Sequence, residues 1–126
     1  MNPYIIDDAY YYFVIARHVA AGQGPTFDGL HYTSGFHPLW LFICTGIALV
    51  VHDPYHFIAV ITGLCLALHG GSCWLFYRLL RPYAGPYAPL AFALAPNLWL
   101  MALSGMEFAL AMFLLLALLN VLERRI

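Results

Sequence analysis

The chain has 126 residues, 63% of them hydrophobic and 9% charged, with a mean hydropathy of +0.80 and a formal net charge of −1. Ordinary soluble domains carry about 25% charged residues, so this composition excludes that class and gives no basis for a nucleic-acid partner. Lysine is absent, and the six acids and five arginines stand outside the long apolar runs.

The first element is read from "YIIDDAYYYFVIARHVAAGQG". A helix is predicted from about Asp8 to Ala21, with Asp7 as its N-cap and Gly22 and Gly24 ending it. "GQGPTFDGLHYTSG" is dense in Gly, Pro, Asp, Thr and Ser and reads as a loop. The apolar stretch Leu39–Val51 has 13 residues. As a helix that is about 20 Å, against a hydrocarbon core of about 30 Å. It is expected to lie at the interface or half-buried. Residues 1–54 therefore read as an external loop carrying two juxtamembrane helices.

Residues 55–126 read as transmembrane helices. Tyr55–Tyr77 has 23 residues, is long enough to span, and ends at Arg78 and Arg81. Tyr87–Leu103 is just long enough, with Pro89 and Pro96 expected to kink or shorten it. "SGME", residues 104–107, interrupts with a tight turn at Ser104–Gly105, and Phe108–Leu122 then runs to "ERRI". Apolar runs recur to the C-terminus and no small-residue cleavage site follows a basic start, which excludes a signal peptide before a soluble domain. The fold class is an all-α polytopic integral membrane protein.

Arginine placement orients it. With Arg78, Arg81, Arg124 and Arg125 inside, residues 55–77 run inward, 87–103 return, and Glu107 emerges outside. If 39–51 does not span, Asp7, Asp8 and His37 share that external face. If it does span, Asp7 and Asp8 lie opposite Glu107, an arrangement that Arg17 mildly favours.

Asp7 reads as a helix cap or as a functional carboxylate. Tyr10, Tyr11 and Tyr12 read as an interfacial aromatic belt, with Tyr11 and His18 at helical offsets that place them on the Asp7 side. A carboxylate at the mouth of an apolar run, as at Glu107, is costly without a task or a partner. His37 reads as an interface residue or a contact to a lipid phosphate. Arg17 reads as a solvated charge, or as a partner of Asp8 or of a phosphate. His69, beside Gly70 and Gly71, is expected to hydrogen-bond between closely packed helices, and His52 and His56 flank "DP" at the interface. Cys44, Cys65 and Cys73 read as small buried hydrophobes. No His-x-x-x-His or Cys-x-x-Cys pattern supports a zinc site.

"DDAYYY", "TSGFHPLW" and "SGME", in that order and spacing, resemble the N-terminal part of the GT-C fold glycosyltransferases. These polyprenyl-phosphate-sugar-dependent enzymes include protein O-mannosyltransferases, aminoarabinose transferases and oligosaccharyltransferase. The resemblance covers most of the chain. It implies sugar transfer from a polyprenyl-phosphate donor to an acceptor hydroxyl, by direct displacement at the external face of a membrane. It assigns Asp7 as the catalytic acid of the first motif, Asp8 as its acidic neighbour, and Glu107 as the acid of the second external loop. Arg17, His37 and Tyr11 become substrate-binding candidates. A divalent metal ion, which some members bind, would fall to Asp8 and Glu107. The implied location is the bacterial inner membrane, multi-pass, with the lipid bilayer and a lipid-linked sugar as partners.

No span precedes Asp7, and fewer spans follow than family members have. The chain is therefore expected to be a module of a larger enzyme, inactive alone. The rival reading is a transporter or membrane scaffold in which Glu107 and His69 face each other along a polar path.

Overall fold

The computed structural model describes residue 5, residues 7–85 and residues 87–124. The described chain is helical: α1 (Asp7–Ala20), α2 (Pro38–Val50), α3 (Pro54–Ala84), α4 (Ala88–Leu94), α5 (Pro96–Leu103) and α6 (Phe108–Glu123). One isolated bridge, Thr26 to Tyr32, marks the loop between α1 and α2.

Helix α1 begins at Asp7, so both acids of the pair sit in its first turn, where the helix dipole favours negative charge. It ends as predicted at glycine. Gly22 N–H donates to Val19 O (3.0 Å) and Gln23 N–H to His18 O (2.9 Å), with Gly22 at φ 78°. That is a Schellman ending, which needs a left-handed residue at this position. Helix α2 starts at Pro38, where a missing N–H costs nothing, and has 13 residues, the short length expected.

Helices α1 and α2 pack on each other through Ala9, Tyr12, Phe13, Ile15 and Ala16 on one side and Trp40, Leu41, Cys44 and Ala48 on the other. The opposite face of α2 leaves Leu39, Phe42, Leu49 and Val50 exposed. An exposed apolar stripe of that kind marks contact with lipid or with other protein.

Helix α3 opens on an Asp53 cap, whose carboxylate accepts from His56 N–H at 2.9 Å. It runs on past the expected Tyr77 to Ala84, 31 residues in all. Two aromatic–arginine pairs one turn apart support the extension: Arg78 lies 4.9 Å over the Trp74 ring and Arg81 5.7 Å over Tyr77. At 1.5 Å per residue the helix is about 46 Å long. It is the one described helix that by itself is long and apolar enough to cross a membrane.

The run expected over Tyr87–Leu103 is divided. Ala95, preceding Pro96, takes an extended conformation (φ −65°, ψ 112°) and separates α4 from α5. Trp99 Nε1–H donates to Ala93 O across the break at 2.6 Å. "SGME" then turns the chain by 117° between α5 and α6. Taken together, α5 and α6 are also long and apolar enough for a second crossing, though bent.

Helix α6 runs parallel to α3. Gly71 abuts the Phe113 ring, and further along Asn120 Nδ2–H donates to Leu75 O at 3.0 Å. A Cβ at Gly71 would meet Phe113 Cε2 at 2.8 Å, so Gly71 is the point of close helix approach. Gly70 has open space. His69 does not bond across helices as expected. Its Nε2 lies 3.7 Å from Cys73 Sγ on the same helix, and its ring packs against Trp99 (4.7 Å) and Phe92 (6.3 Å).

The contacts at Gly71–Phe113 and Asn120–Leu75 place the start of α6 beside the first half of α3, away from Arg78 and Arg81. Phe13 of α1 packs edge-on against Phe57 near the start of α3 (5.3 Å) and also touches Gly105 of the turn before α6. Arg78 and Arg81 lie toward the C-terminal end of α3, and Arg124 directly follows α6. Arg125 lies outside the described residues.

Candidate functional site

Three sequence motifs meet at the end defined by Asp7, Asp8 and Glu107. The joint is the "SGME" turn. Gly105 takes φ 79°, and a Cβ there would sit 3.2 Å from both Ala9 Cβ and Phe13 Cζ of α1. Its carbonyl accepts from Trp40 Nε1–H of α2 at 3.2 Å, a buried contact. The turn is held internally by Ser104, whose hydroxyl donates to Met101 O (2.7 Å) and accepts from Met106 N–H (3.3 Å). The backbone before α6 is thus wedged between α1 and α2, and Glu107 follows directly as the residue that starts α6.

Glu107 is largely buried, with 16% of its side chain exposed. Its Oε1 lies 3.5 Å from His37 Nε2, and its Oε2 is buried without a hydrogen-bond partner among the described residues. His37 is anchored from the other side, where its backbone N–H donates to the Tyr12 hydroxyl oxygen at 2.8 Å. The Tyr12 hydroxyl is also near enough to Glu107 to feel its charge. Burial raises the Tyr12 hydroxyl pKa above its ordinary value; the His37 N–H opposes this and the Glu107 charge adds to it. The phenol therefore stays protonated.

Beside this cluster is an open cavity of about 390 Å³ lined by Asp8, Tyr11, Tyr12, Gly35 and Met106. Each motif contributes: Asp8 and both tyrosines from "DDAYYY", Gly35 from "TSGFHPLW", Met106 from "SGME". Asp8 and Tyr12 are four apart on α1 and share its cavity side. The Tyr11 hydroxyl is hydrogen-bonded to Thr33 Oγ1, and the Tyr11 ring stacks on Phe27 at 4.9 Å. Two further bonds tie the loop to α1: His18 Nδ1 lies 2.7 Å from Thr26 O and 3.2 Å from Thr26 Oγ1.

Of the residues singled out from the sequence, Asp8, Tyr11, His37 and Glu107 fall in this region. Asp7 is exposed in the same first turn of α1 but does not line the cavity. Arg17 lies elsewhere. It is nine residues along α1 from Asp8, about 13 Å, and donates to His52 O at 2.9 Å. Tyr12 is a participant that the sequence places in an aromatic belt. Its only sequence signal is the i, i+4 relation to Asp8.

Among the described residues, no group of three His, Cys, Asp or Glu side chains is placed to hold a metal ion. Asp8 and Glu107, the expected ligands, do not complete such a set. The polar path of the rival reading does not form either. Glu107 engages His37, whereas His69 engages Trp99, Phe92 and Cys73. Compared with family models, curated proteins and solved structures, the chain matches none of them.

Proposed function

We propose that this chain is the N-terminal module of a multi-pass membrane glycosyltransferase of the GT-C type, located in the bacterial inner membrane. It would take a polyprenyl-phosphate-linked sugar as donor and work at the external face. The observation that carries this reading is the convergence of the three motifs on one cavity, at the end of the molecule opposite Arg78 and Arg81.

The chemistry asked of the site is a displacement at the anomeric carbon. The acceptor hydroxyl oxygen bonds to that carbon, the bond from carbon to phosphate oxygen breaks, and polyprenyl phosphate leaves. The hydroxyl proton passes to a carboxylate. Asp8 is the better placed of the paired acids, since it lines the cavity and Asp7 does not. General-base assistance contributes on the order of 10²–10⁴-fold. Glu107 follows Met106 of the cavity wall and adds a second carboxylate beside the cavity. The exposed apolar face of α2 seats the cavity at the membrane surface, where a lipid-linked donor arrives.

The test is donor consumption in lipid nanodiscs, with a panel of polyprenyl-phosphate sugars and simple alcohol acceptors. Asp8→Asn is expected to lose at least about 10²-fold in kcat, and Asp7→Asn much less. Absence of turnover with every donor, in the chain and in its full-length gene product, would end the reading.

A further inference from the structure

We infer that α3, α5 and α6 together carry a binding site for a soft monovalent metal ion, with Cu(I) as the ion that fits. His69 Nε2 and Cys73 Sγ of α3 hold the ion, and the thioethers of Met101 and Met112 complete its shell. The site goes beyond the glycosyltransferase reading and shares no residue with the cavity at Asp8.

A cavity of about 210 Å³ lies between α3, α4, α5 and α6. Among the described residues that line it, His69 and Ser72 carry the nitrogen and oxygen side-chain atoms, and the rest of the wall is apolar. Ser72 spends its hydroxyl proton on Leu68 O of its own helix at 2.9 Å. His69 is 5% exposed, and its ring is held by Trp99 (4.7 Å) and Phe92 (6.3 Å). A ring fixed from two sides is a ligand already in place. Its Nε2 faces Cys73 Sγ, one turn along α3, at 3.7 Å. Cys73 is the one cysteine of the three that is not fully buried, so an ion can approach it. Met101 and Met112 line the same cavity as His69, from α5 and α6. Their sulfurs stand on flexible, unbranched chains that adapt to an irregular site.

The spacing admits an ion between nitrogen and sulfur. With bonds of about 2.3 Å to sulfur and about 2.0–2.1 Å to nitrogen, ligands 3.7 Å apart subtend about 115° at the ion. That angle lies between tetrahedral and trigonal and leaves one or two positions, which the thioethers fill. Charge then selects a monovalent ion. The Cys73 S–H bond breaks, its proton passes to water, an S–Cu bond forms, and the copper stays Cu(I). One thiolate, a neutral imidazole and uncharged thioethers sum with Cu(I) to zero. A divalent ion would leave a net positive charge among apolar walls, which is costly without a partner. Softness selects the same ion, because thiolate and thioether ligands favour Cu(I).

The experiment is anaerobic titration of the full chain in lipid nanodiscs with Cu(I), in competition with the chelator bathocuproine disulfonate, followed by X-ray absorption at the copper edge. The wild type is expected to bind one Cu(I) per chain, to release one proton, and to show nitrogen and sulfur neighbours. Loss of a group behind a metal ligand already costs about 10–100-fold in affinity, so Cys73→Ser, which removes the charged ligand, is expected to weaken binding by at least about 100-fold. His69→Phe keeps a ring between Trp99 and Phe92 and is expected to lose at least about tenfold. The Met101→Leu/Met112→Leu double variant is expected to lose a similar factor and to lose sulfur from the copper shell. Cys44→Ala/Cys65→Ala is expected to bind as the wild type does, and excess Zn(II) to leave Cu(I) in place. Thermal midpoints without metal check that each variant folds, and the histidine and methionine variants carry the test if Cys73→Ser does not. A wild type that takes no copper overturns the proposal, as does binding that survives Cys73→Ser or is lost only with Cys44 and Cys65. Full affinity in the methionine double variant, or displacement of Cu(I) by Zn(II), overturns it equally. Every readout is a binding measurement, so none depends on donor turnover.

Discussion

The Trp40 indole N–H donates to the Gly105 carbonyl at 3.2 Å, joining two segments 65 residues apart in a buried contact. This bond places "SGME" against "HPLW", and the site behind it depends on that placement. Trp40→Phe keeps most of the ring but leaves a buried carbonyl without its donor. Such an orphan costs about 1–3 kcal/mol. The expected result is a lower thermal midpoint in nanodiscs together with faster amide exchange at Met106. A midpoint equal to wild type would mean that the bond contributes nothing.

Gly105 makes a second, sharper demand. A side chain there is strained by φ 79° and also crowds Ala9 Cβ and Phe13 Cζ at 3.2 Å. Ala9 Cβ is fixed to the α1 backbone and cannot swing away. Gly29 is the control, with φ 78° and nothing within 4 Å of where its Cβ would stand. The left-handed backbone costs both Gly→Ala variants about 1–2 kcal/mol, and only Gly105→Ala adds crowding to that. The expected order of thermal midpoints is wild type, then Gly29→Ala, then Gly105→Ala. Equal losses at the two positions would show that α1 yields freely.

The parts of this architecture that local chemistry controls are legible in the sequence. Gly22 ends α1, Asp53 caps α3, Pro96 breaks the run after Ala95, and the length of α2 follows from its apolar stretch. The overrun of α3 past Tyr77 is not legible as a boundary, because the Arg78 and Arg81 charges read as a stop while their pairing with Trp74 and Tyr77 keeps the helix going. Within the site, Asp8, His37 and Glu107 announce themselves as polar residues in an apolar chain. Tyr12 does not, because its hydroxyl's partner, the His37 N–H, lies 25 residues along the chain. Arg17 misleads for the converse reason: its partner is the backbone carbonyl of His52, which carries no sequence signal.

Acid should loosen the start of α3. Asp53 is held below its usual range, first by the His56 backbone N–H and then by the His56 ring, whose Nδ1 lies 2.7 Å from Oδ2. A depressed carboxyl pKa contributes stability that is present above the ordinary value of 3.8 and is lost as pH falls through the lower folded value. Amide exchange at His56, corrected for its intrinsic pH dependence, is expected to accelerate below about pH 3.8. Asp53→Asn keeps an acceptor oxygen but does not titrate, so the acceleration should disappear in that variant. Identical pH profiles in the two proteins would remove Asp53 as the cause.

The two ends of the molecule should occupy opposite sides of the bilayer. Helix α2 has 13 residues, about 20 Å, and cannot cross a core of about 30 Å. It also buries one face on α1, which leaves only its other face for lipid. Phe36, before α2, and His52, after it, therefore belong to the same side. Helix α3 has 31 residues, about 46 Å, which exceeds the core even when tilted by the ordinary 20° or so. Arg81 near its end is therefore expected on the opposite side, which by the positive-inside rule would be the cytoplasm. The measurement is labelling by a membrane-impermeant maleimide in intact cells, on a background in which Cys44, Cys65 and Cys73 are alanine. Phe36→Cys and His52→Cys should label without permeabilisation, and Arg81→Cys only after it. Labelling of positions 36 and 52 from opposite sides would mean that α2 crosses, and this topology would be wrong. The same-side result would put Asp8, His37 and Glu107 on one side of the membrane, as the glycosyltransferase proposal requires.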